Sequence, residues 1–150
     1  MKNKKTAQGV ALHFLKFRPR SCFEIERKLK QKKFSDLEIK KTIEILKQEK
    51  LLDDLEFAHL WIRNRNQLSP RGEKLLFLEL RKLGIDSEIA QKALKIEDLP
   101  ETEKAKIVFD KKKKSLAKLS PKDFKQKMIQ YLARRGFDWG TISQILTAKK

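Results

Sequence analysis

The side chains that could perform bond chemistry in this chain are few and lie far apart in the sequence. His13 and His59 each stand alone, outside any metal-ligand spacing. Asp53 and Asp54 form a carboxylate pair, but they open an apolar helical pattern, where acidic residues complement the helix dipole. Cys22 lies just inside a predicted helix N-terminus, which favours a lowered thiol pKa, yet no histidine or second cysteine motif supports catalysis. The sequence therefore predicts no catalytic site, no metal and no cofactor, and so a protein that is not an enzyme.

Cationic side chains are instead abundant, and they are unevenly distributed. The 150 residues contain 37 lysines and arginines against 20 acidic residues, a formal net charge of +17. Residues 1–52 carry a net charge of +9, residues 53–98 carry −1, and residues 99–150 carry +9. Such an excess attracts polyanions, which here means a nucleic acid or an acidic protein groove. The alternative is that the excess charge only keeps the protein soluble, but solubility alone gives no reason for the middle segment to be electrically balanced.

Two groups of cations differ in character. The run from Lys111 to Lys114 is either a solvated helix end or a surface that contacts phosphates or acidic side chains without reading sequence. Arg63 and Arg65 lie in the electrically balanced segment, where the guanidinium fork suits carboxylate or phosphate, although a structural pair with an acid such as Glu79 is equally consistent. The candidate residues for binding a partner or nucleic acid are Arg18, Arg20, Lys28, Lys32, Arg63, Arg65, Arg71, Lys74, Arg81, Lys111, Lys112, Lys113, Lys114, Arg134 and Arg135.

An internal repeat supplies the elements that must position these side chains. Superposing Phe34, Ile85 and Phe137 brings apolar residues into register at four further positions. Their one-turn spacings predict the buried faces of two helices, and a helix-capping residue follows each of the three anchors. The aligned apolar residues are Ile25, Leu76 and Met128 nine positions before the anchor, Leu29, Leu80 and Leu132 five before, Ile39, Ala90 and Ile142 five after, and Ile43, Leu94 and Leu146 nine after.

Each repeat also contains an upstream helix, so the fold is predicted to be all-α, with three tandem three-helix repeats forming an elongated, curved body. The predicted units are residues 1–52, 53–98 and 99–150, here named unit 1, unit 2 and unit 3. Helix starts are indicated by a capping-box pattern at Ser21 and Glu24, and by the pairs Ser69-Pro70 and Ser120-Pro121. The predicted first helix covers residues 6–17, and a long lysine-rich helix is predicted from residue 100 to about residue 119.

The compartment can also be predicted from the sequence. Cys22 is the single cysteine, so no disulfide can form within the chain and a reducing environment is expected. No apolar run approaches the ~18 residues of a membrane span. The basic stretch from Met1 to Lys5 is followed by an amphipathic helical pattern rather than a signal-peptide cleavage site. We therefore expect a cytoplasmic protein that does not enter a membrane.

Several short motifs, taken in order, make the chain similar to a known family. Together they resemble the signature of the RecX family of RecA regulators over nearly the whole chain. One departure is Leu83, where a lysine is expected, which leaves a basic contact at that position in doubt. The motifs are Arg18-Pro19-Arg20-Ser21 with Glu24, Lys28-Leu29 and Phe34; Leu51-Leu52-Asp53-Asp54, Phe57-Ala58, Trp61 and Arg63-Asn64-Arg65; Gly72, Glu79-Leu80 and Gly84-Ile85; and Arg134-Arg135-Gly136-Phe137.

The resemblance implies a non-enzymatic protein that binds RecA and its DNA filament and limits ATP hydrolysis, strand exchange and the co-protease activity behind the SOS response in DNA repair. It implies weak, non-specific DNA binding, and we expect a monomer. Our hypothesis is that the basic end units bind acidic RecA surface or DNA phosphates along the filament groove. Arg63, Arg65 and Arg71 of the middle unit would then fix the position of the protein along that groove. The alternative is a stand-alone basic DNA-binding protein with a steep salt dependence and no need of RecA. A salt-insensitive helical scaffold is a third class that the charge disfavours.

Overall fold

The structure, a computed structural model, describes residues 5–97 and 99–148, so most of the basic N-terminal stretch lies outside the described residues. Within that range the chain forms nine α-helices and no strand, which confirms the all-α prediction. The helices are α1 (Ala7–Leu15), α2 (Cys22–Gln31), α3 (Asp36–Gln48), α4 (Asp54–Leu68), α5 (Glu73–Lys82), α6 (Ser87–Glu97), α7 (Glu101–Lys113), α8 (Pro121–Arg134) and α9 (Trp139–Ala148).

The helices group in threes, and each group has its own hydrophobic core. Helices α1–α3, α4–α6 and α7–α9 pack on one another within unit 1, unit 2 and unit 3. The aligned leucines Leu29, Leu80 and Leu132 are completely buried, as are the three residues four positions before them. The spacing of apolar residues therefore identified the core-facing side of each second helix correctly. The unit boundaries after residues 52 and 98 stay predictions.

The predicted helix caps after the anchors are present. Ser35 accepts a hydrogen bond from the Glu38 backbone N–H at 3.2 Å. The Asp86 carboxylate accepts one from the backbone of the α6 first turn, and the Asp138 carboxylate accepts the Thr141 N–H at 2.8 Å. These side chains satisfy N–H groups that have no partner within their own helix, so each polar residue fixes where a third helix begins.

Two predicted helix boundaries were wrong. Ser69 ends α4 instead of opening α5, which begins at Glu73 with Gly72 as its N-cap. The physical reason is tertiary, because the Ser69 hydroxyl accepts a hydrogen bond from Arg135 and Pro70 is completely buried. The long lysine-rich helix ends at Lys113 and tightens into a 3₁₀ turn that buries Leu116, so it is shorter than predicted.

The seam between units 1 and 2 joins the start of α2 to the end of α5. The Ser21 hydroxyl donates a hydrogen bond to the Leu83 carbonyl at 2.6 Å. The Cys22 backbone N–H donates to the Asp54 carboxylate at 2.9 Å, so one acid of the predicted pair serves as a cap for a helix in the neighbouring unit. Each contact satisfies a backbone group at a helix end, and together they hold the two units in one register.

The seam between units 2 and 3 repeats that geometry one unit further along the chain. The Gly72 N–H donates to the Arg135 carbonyl at 2.7 Å. Gly72 and Ser21 both stand thirteen residues before their anchors, and Arg135 and Leu83 both stand two residues before theirs. The same pair of positions therefore joins each unit to the next, which indicates that the units follow one another by a similar step.

Glycine at the end of the second helix is explained by this stacking. Gly84 and Gly136 have φ angles of 81° and 89°, and the same position in unit 1, Lys33, has a φ of 66° without being glycine. A β-carbon on Gly84 would stand 2.1 Å from that of Phe23 in the preceding unit. Lys33 is exposed and no unit precedes it among the described residues, so a side chain fits there. Close approach between units, in addition to backbone conformation, thus accounts for the two glycines.

Candidate polyanion-binding surfaces

The candidate arginines of unit 1 are held by one carboxylate. Arg18 and Arg20 both form ion pairs with Glu24, which also accepts the Ser21 N–H in a complete capping box. The Arg20 guanidinium lies 3.7 Å from the ring centroid of Phe14 and is largely buried. Burial, followed by the nearby charge of Arg18, lowers the pKa of Arg20. Arg20 is therefore a packed structural cation, whereas Arg18 keeps 44% of its side chain exposed.

In unit 2 a second carboxylate gathers three partners. Glu79 accepts hydrogen bonds from Trp61 Nε1 at 2.9 Å and Arg65 Nε at 3.1 Å, and it forms an ion pair with Arg71. The Arg65 guanidinium also lies 4.7 Å from the centre of the Trp61 ring. Of the two interpretations left open for Arg65, the structural pair with Glu79 is present. That pairing ties α4 and the loop before α5 to α5 itself.

Arg63 projects on a different part of α4. Its Nε lies 3.4 Å from the Glu97 carboxylate, which is also 3.2 Å from the nearly buried His59 Nδ1. Half of the Arg63 side chain is exposed, compared with 32% for Arg65 and 28% for Arg71. Arg63 is thus the most accessible of the three unit 2 arginines that we expected to set register.

Unit 3 holds a cation cluster of another kind, named here the Tyr131 cluster and consisting of Lys112, Tyr131 and Arg135. Lys112 Nζ and the Arg135 guanidinium lie 4.7 and 5.0 Å from the Tyr131 ring centroid. Arg135 donates hydrogen bonds to the Tyr131 hydroxyl at 2.8 Å and to the Ser69 hydroxyl. None of these contacts involves a carboxylate. Two cations held beside one aromatic ring, with no carboxylate between them, keep most of their charge available for an anionic partner.

Further exposed cations flank the Tyr131 cluster in the sequence. Lys111, Lys113 and Lys114 lie at the end of α7, and Arg134 precedes Arg135 at the end of α8. One of them, Lys113, lies 3.5 Å from the Asp110 carboxylate, at an exposed site where an ion pair contributes little. The charge of unit 3 is therefore much less neutralised internally than that of the unit 2 arginines.

The remaining candidates lie in separate places. Lys28 and Lys32 line a cleft in unit 1. Arg81 donates to the backbone carbonyl of Ile85 at 2.9 Å. Lys74, in unit 2, acts on Asp138 in unit 3. Hydrogen bonds from the backbone and hydroxyl of Thr141 are the main cause of the lowered pKa of Asp138, and the positive charge of Lys74 lowers it further. The structure thus brings only seven of the fifteen candidates together, in three groups, while the others, such as Arg63 and Arg81, lie outside them. The groups are Arg20, Lys28 and Lys32 at the unit 1 cleft, Arg65 and Arg71 around Glu79, and Lys112 and Arg135 in the Tyr131 cluster.

Sequence reasoning missed a buried cation at the seam between units 2 and 3. Lys104 is completely buried, and its Nζ donates to the Arg71 carbonyl at 2.8 Å and lies 2.6 Å from the Glu101 carboxylate. The same carboxylate accepts the Glu73 N–H at 3.1 Å. Among so many lysines nothing in the local pattern distinguishes this one, since its partners are brought close only by tertiary packing.

Cys22 differs from the prediction for a helix N-terminus. Burial and, after it, the charge of Asp54 raise the pKa of the thiol from 9.0 to about 12. The protonated thiol is the less nucleophilic form, so the structure gives this cysteine no reactive character. Within residues 5–97 and 99–148, no set of three or more His, Cys, Asp or Glu side chains is placed to hold a metal ion. In the same range no helix is both long and apolar enough to cross a membrane.

The raised pKa of Cys22 predicts a pH dependence of stability. The unfolded thiol loses its proton near pH 9, while the folded thiol keeps it to about pH 12. Above pH 9 the folded state therefore binds more protons than the unfolded state, and the free energy of unfolding falls as pH rises. Urea unfolding at pH 7 and pH 10 should show a larger loss for the natural protein than for Cys22→Ser. Equal losses in the two proteins would contradict the assignment.

The three groups of helices match three family models in order. These describe the first, second and third three-helix domains of RecX, and they match residues 7–46, 53–94 and 99–146. A relative named Regulatory protein RecX from Geobacillus sp. (strain WCH70) is 35% identical over 147 residues, which cover 97% of this chain and 54% of that protein. Another with the same name, from Prosthecochloris aestuarii, is 38% identical over 95% of this chain and 92% of that protein.

A solved structure shares the fold as well. The crystal structure of RecX from Lactobacillus salivarius matches with a TM-score of 0.81 and 27% sequence identity, over 95% of this chain and 93% of that one. The chain spans about half the length of several curated relatives that it matches, the Geobacillus protein included. Both comparisons point to the family that the sequence motifs resemble.

Proposed function

This chain belongs to the RecX family of regulatory proteins, and from that premise we propose that it is a non-enzymatic regulator of the RecA recombinase. The observation that carries the proposal is the ordered match of all three three-helix domains over most of the chain. The proposed partners are RecA and its filament on DNA, and the proposed effect is mainly inhibition of ATP hydrolysis, strand exchange and SOS co-protease activity. The protein would act as a monomer in the cytoplasm, beside its partner.

The distribution of unpaired charge supports a polyanionic partner. The Tyr131 cluster and the exposed lysines at the end of α7 lie in a unit of net charge +9. Cations of this kind recognise phosphates or acidic side chains without reading base sequence. We propose that they bind acidic RecA surface or DNA phosphates along the filament groove, and that DNA alone is bound weakly and without specificity.

The balanced middle unit has a different proposed part in the same contact. Arg63 is half exposed, and Arg65 and Arg71 remain about one-third exposed despite their ion pairs with Glu79. A guanidinium held by a carboxylate is oriented before binding, which lowers the entropic cost of a further contact. We propose that these three arginines set the register of the protein on the filament. A molecule bridging protomers would block incoming duplex and hinder the subunit motions coupled to ATP turnover.

The experiment that tests this function is the ATPase rate of RecA on single-stranded DNA with sub-stoichiometric added protein. We expect the rate to fall, and to recover as salt is raised, because the contacts are electrostatic. Binding of the protein to the filament is measured in the same buffer by co-sedimentation. An unchanged rate at low salt, with no co-sedimentation, would remove the proposal.

A further inference from the structure

Unit 1 contains a cleft that joins three of the candidate cations, Arg20, Lys28 and Lys32, to aromatic rings that have no part in the proposed contact with RecA. It has a volume of about 940 Å³ and lies among α1, α2 and the turn before α3. Its size is in the range of sites that hold small ligands or a short stretch of a polymer. The residues that line it are Lys5, Thr6, Gly9, Val10, His13, Phe14, Phe17, Arg20, Lys28, Lys32 and Phe34.

The lining of this cleft is cationic. Four of the lining side chains are lysine or arginine, and none is a carboxylate. The charge of Arg20 is balanced by its ion pair with Glu24. No described carboxylate forms an ion pair with Lys5, Lys28 or Lys32. A concave site lined by one sign of charge concentrates the field, so it attracts an anionic ligand more strongly than the same lysines would on a flat surface.

The lining is also aromatic, and one ring is left open to solvent. Phe14 is covered by Arg20 and Lys28, which lie 3.7 and 5.2 Å from its centroid. Phe17 is 69% exposed, with the His13 ring 5.2 Å away at a nearly perpendicular angle. Phe17 lies in the turn after α1 and is not among the residues that form or pack against the core of unit 1. It does offer a flat apolar surface beside the lysines.

We propose that the cleft binds a short single-stranded segment of nucleic acid, with a base stacked on Phe17 and the adjoining phosphates on Lys28, Lys32 and Lys5. Exposed aromatic rings alternating with backbone-binding cations are the means by which proteins hold single strands without sequence preference. A duplex keeps its bases stacked on each other and cannot present one to Phe17. An acidic peptide would satisfy the lysines but would gain little from the open ring. The inference deepens one part of the proposed function, the weak binding of DNA alone, and rests on it for this class of ligand. It adds the site and the preference for single strands.

The test is fluorescence anisotropy of the full chain with a labelled 12-nucleotide oligothymidylate. Phe17→Ala should weaken binding roughly tenfold while leaving the salt dependence unchanged, and Phe17→Trp should restore it. Lys32→Ala should weaken binding and reduce the slope of log affinity against log salt by about 0.7. The matched control is Trp139→Ala, which removes an exposed aromatic ring, 61% accessible, from unit 3. Circular dichroism verifies that each variant is folded.

Because the anisotropy assay contains no RecA, a negative result in it does not bear on the proposed inhibition of the RecA ATPase. The proposal is overturned if Phe17→Ala and Trp139→Ala have equal effects. It is also overturned if a 12-base-pair duplex, or polyglutamate as an acidic peptide, binds as tightly as the single strand and is equally sensitive to Phe17→Ala. Oligouridylate is the second ligand. Equal affinity for oligouridylate and oligothymidylate would assign the site to single strands in general. A preference for one of them would show whether the bound strand is RNA or DNA.

Discussion

Replacing Gly72 by alanine is expected to separate units 2 and 3 and to lower the free energy of unfolding by about 1–3 kcal/mol, the usual cost of overpacking. A β-carbon at this position would lie 2.0 Å from the Gly136 carbonyl oxygen and 2.3 Å from its carbon. Both atoms belong to backbone that cannot rotate away, so the seam must open. The hydrogen bond from the Gly72 N–H to Arg135 would then lengthen, and with it the contact that holds the two units in register.

The measurement is urea unfolding followed by circular dichroism. Because each unit has its own core, loss of the seam should also broaden the transition as units 2 and 3 uncouple. Gly140→Ala is the matched control in α9, where an added β-carbon would meet only Asp138 Oδ1 at an ordinary 3.5 Å. That variant should be as stable as the natural protein or slightly more so, because alanine favours a helix. Equal stability of the two variants would contradict the close packing at the seam.

Reversing charge at the end of α7 is expected to have the largest effect on regulation. The triple variant Lys111→Glu, Lys112→Glu, Lys114→Glu should raise the concentration needed for half-inhibition of the RecA ATPase about tenfold or more, since like charges across an interface cost several kcal/mol. The change at Lys112 places a carboxylate beside Tyr131, in the Tyr131 cluster, and the changes at Lys111 and Lys114 reverse two exposed charges at the end of α7. The three lysines lie at the surface or only partly buried, so the fold of unit 3 should persist.

A matched control comes from the balanced unit. Lys82→Glu, Lys92→Glu, Lys95→Glu changes the net charge by the same amount at three exposed positions in α5 and α6. If the location of charge matters, this variant should inhibit RecA much better than the α7 variant in the same salt. Equal loss of inhibition in the two triple variants would show that only the overall charge matters, and the Tyr131 cluster would lose its assigned role.

The core could be predicted from the sequence because it depends on local periodicity. Residues one helical turn apart share a face whatever the tertiary structure, so Leu29, Leu80 and Leu132 could be placed inside with no knowledge of how the units stack. The caps at Ser35, Asp86 and Asp138 were equally local. The start of α5 was wrong for the complementary reason, since the hydroxyl that looked like a helix cap binds an arginine 66 residues away.

For the candidate site, only the excess of lysine and arginine could be predicted from the sequence, and not the partners of these side chains. The sequence identified the charged units and singled out Arg63 and Arg65, but it could not choose between a partner and an internal acid for either one. The acids that hold them, Glu97 and Glu79, lie on other helices, and the buried Lys104 reaches a carbonyl 33 residues away. The aromatic rings of the unit 1 cleft and of the Tyr131 cluster became informative only once tertiary packing brought cations over their faces.

A pull-down of RecA by the full chain, with and without single-stranded DNA and at two salt concentrations, tests whether the RecA filament is the partner. We expect strong capture of RecA assembled on DNA at low salt, weaker capture of that filament at high salt, and much less retention of DNA without RecA. Capture of DNA that is equally strong with or without RecA would contradict this expectation, and the protein would then be a stand-alone DNA-binding protein.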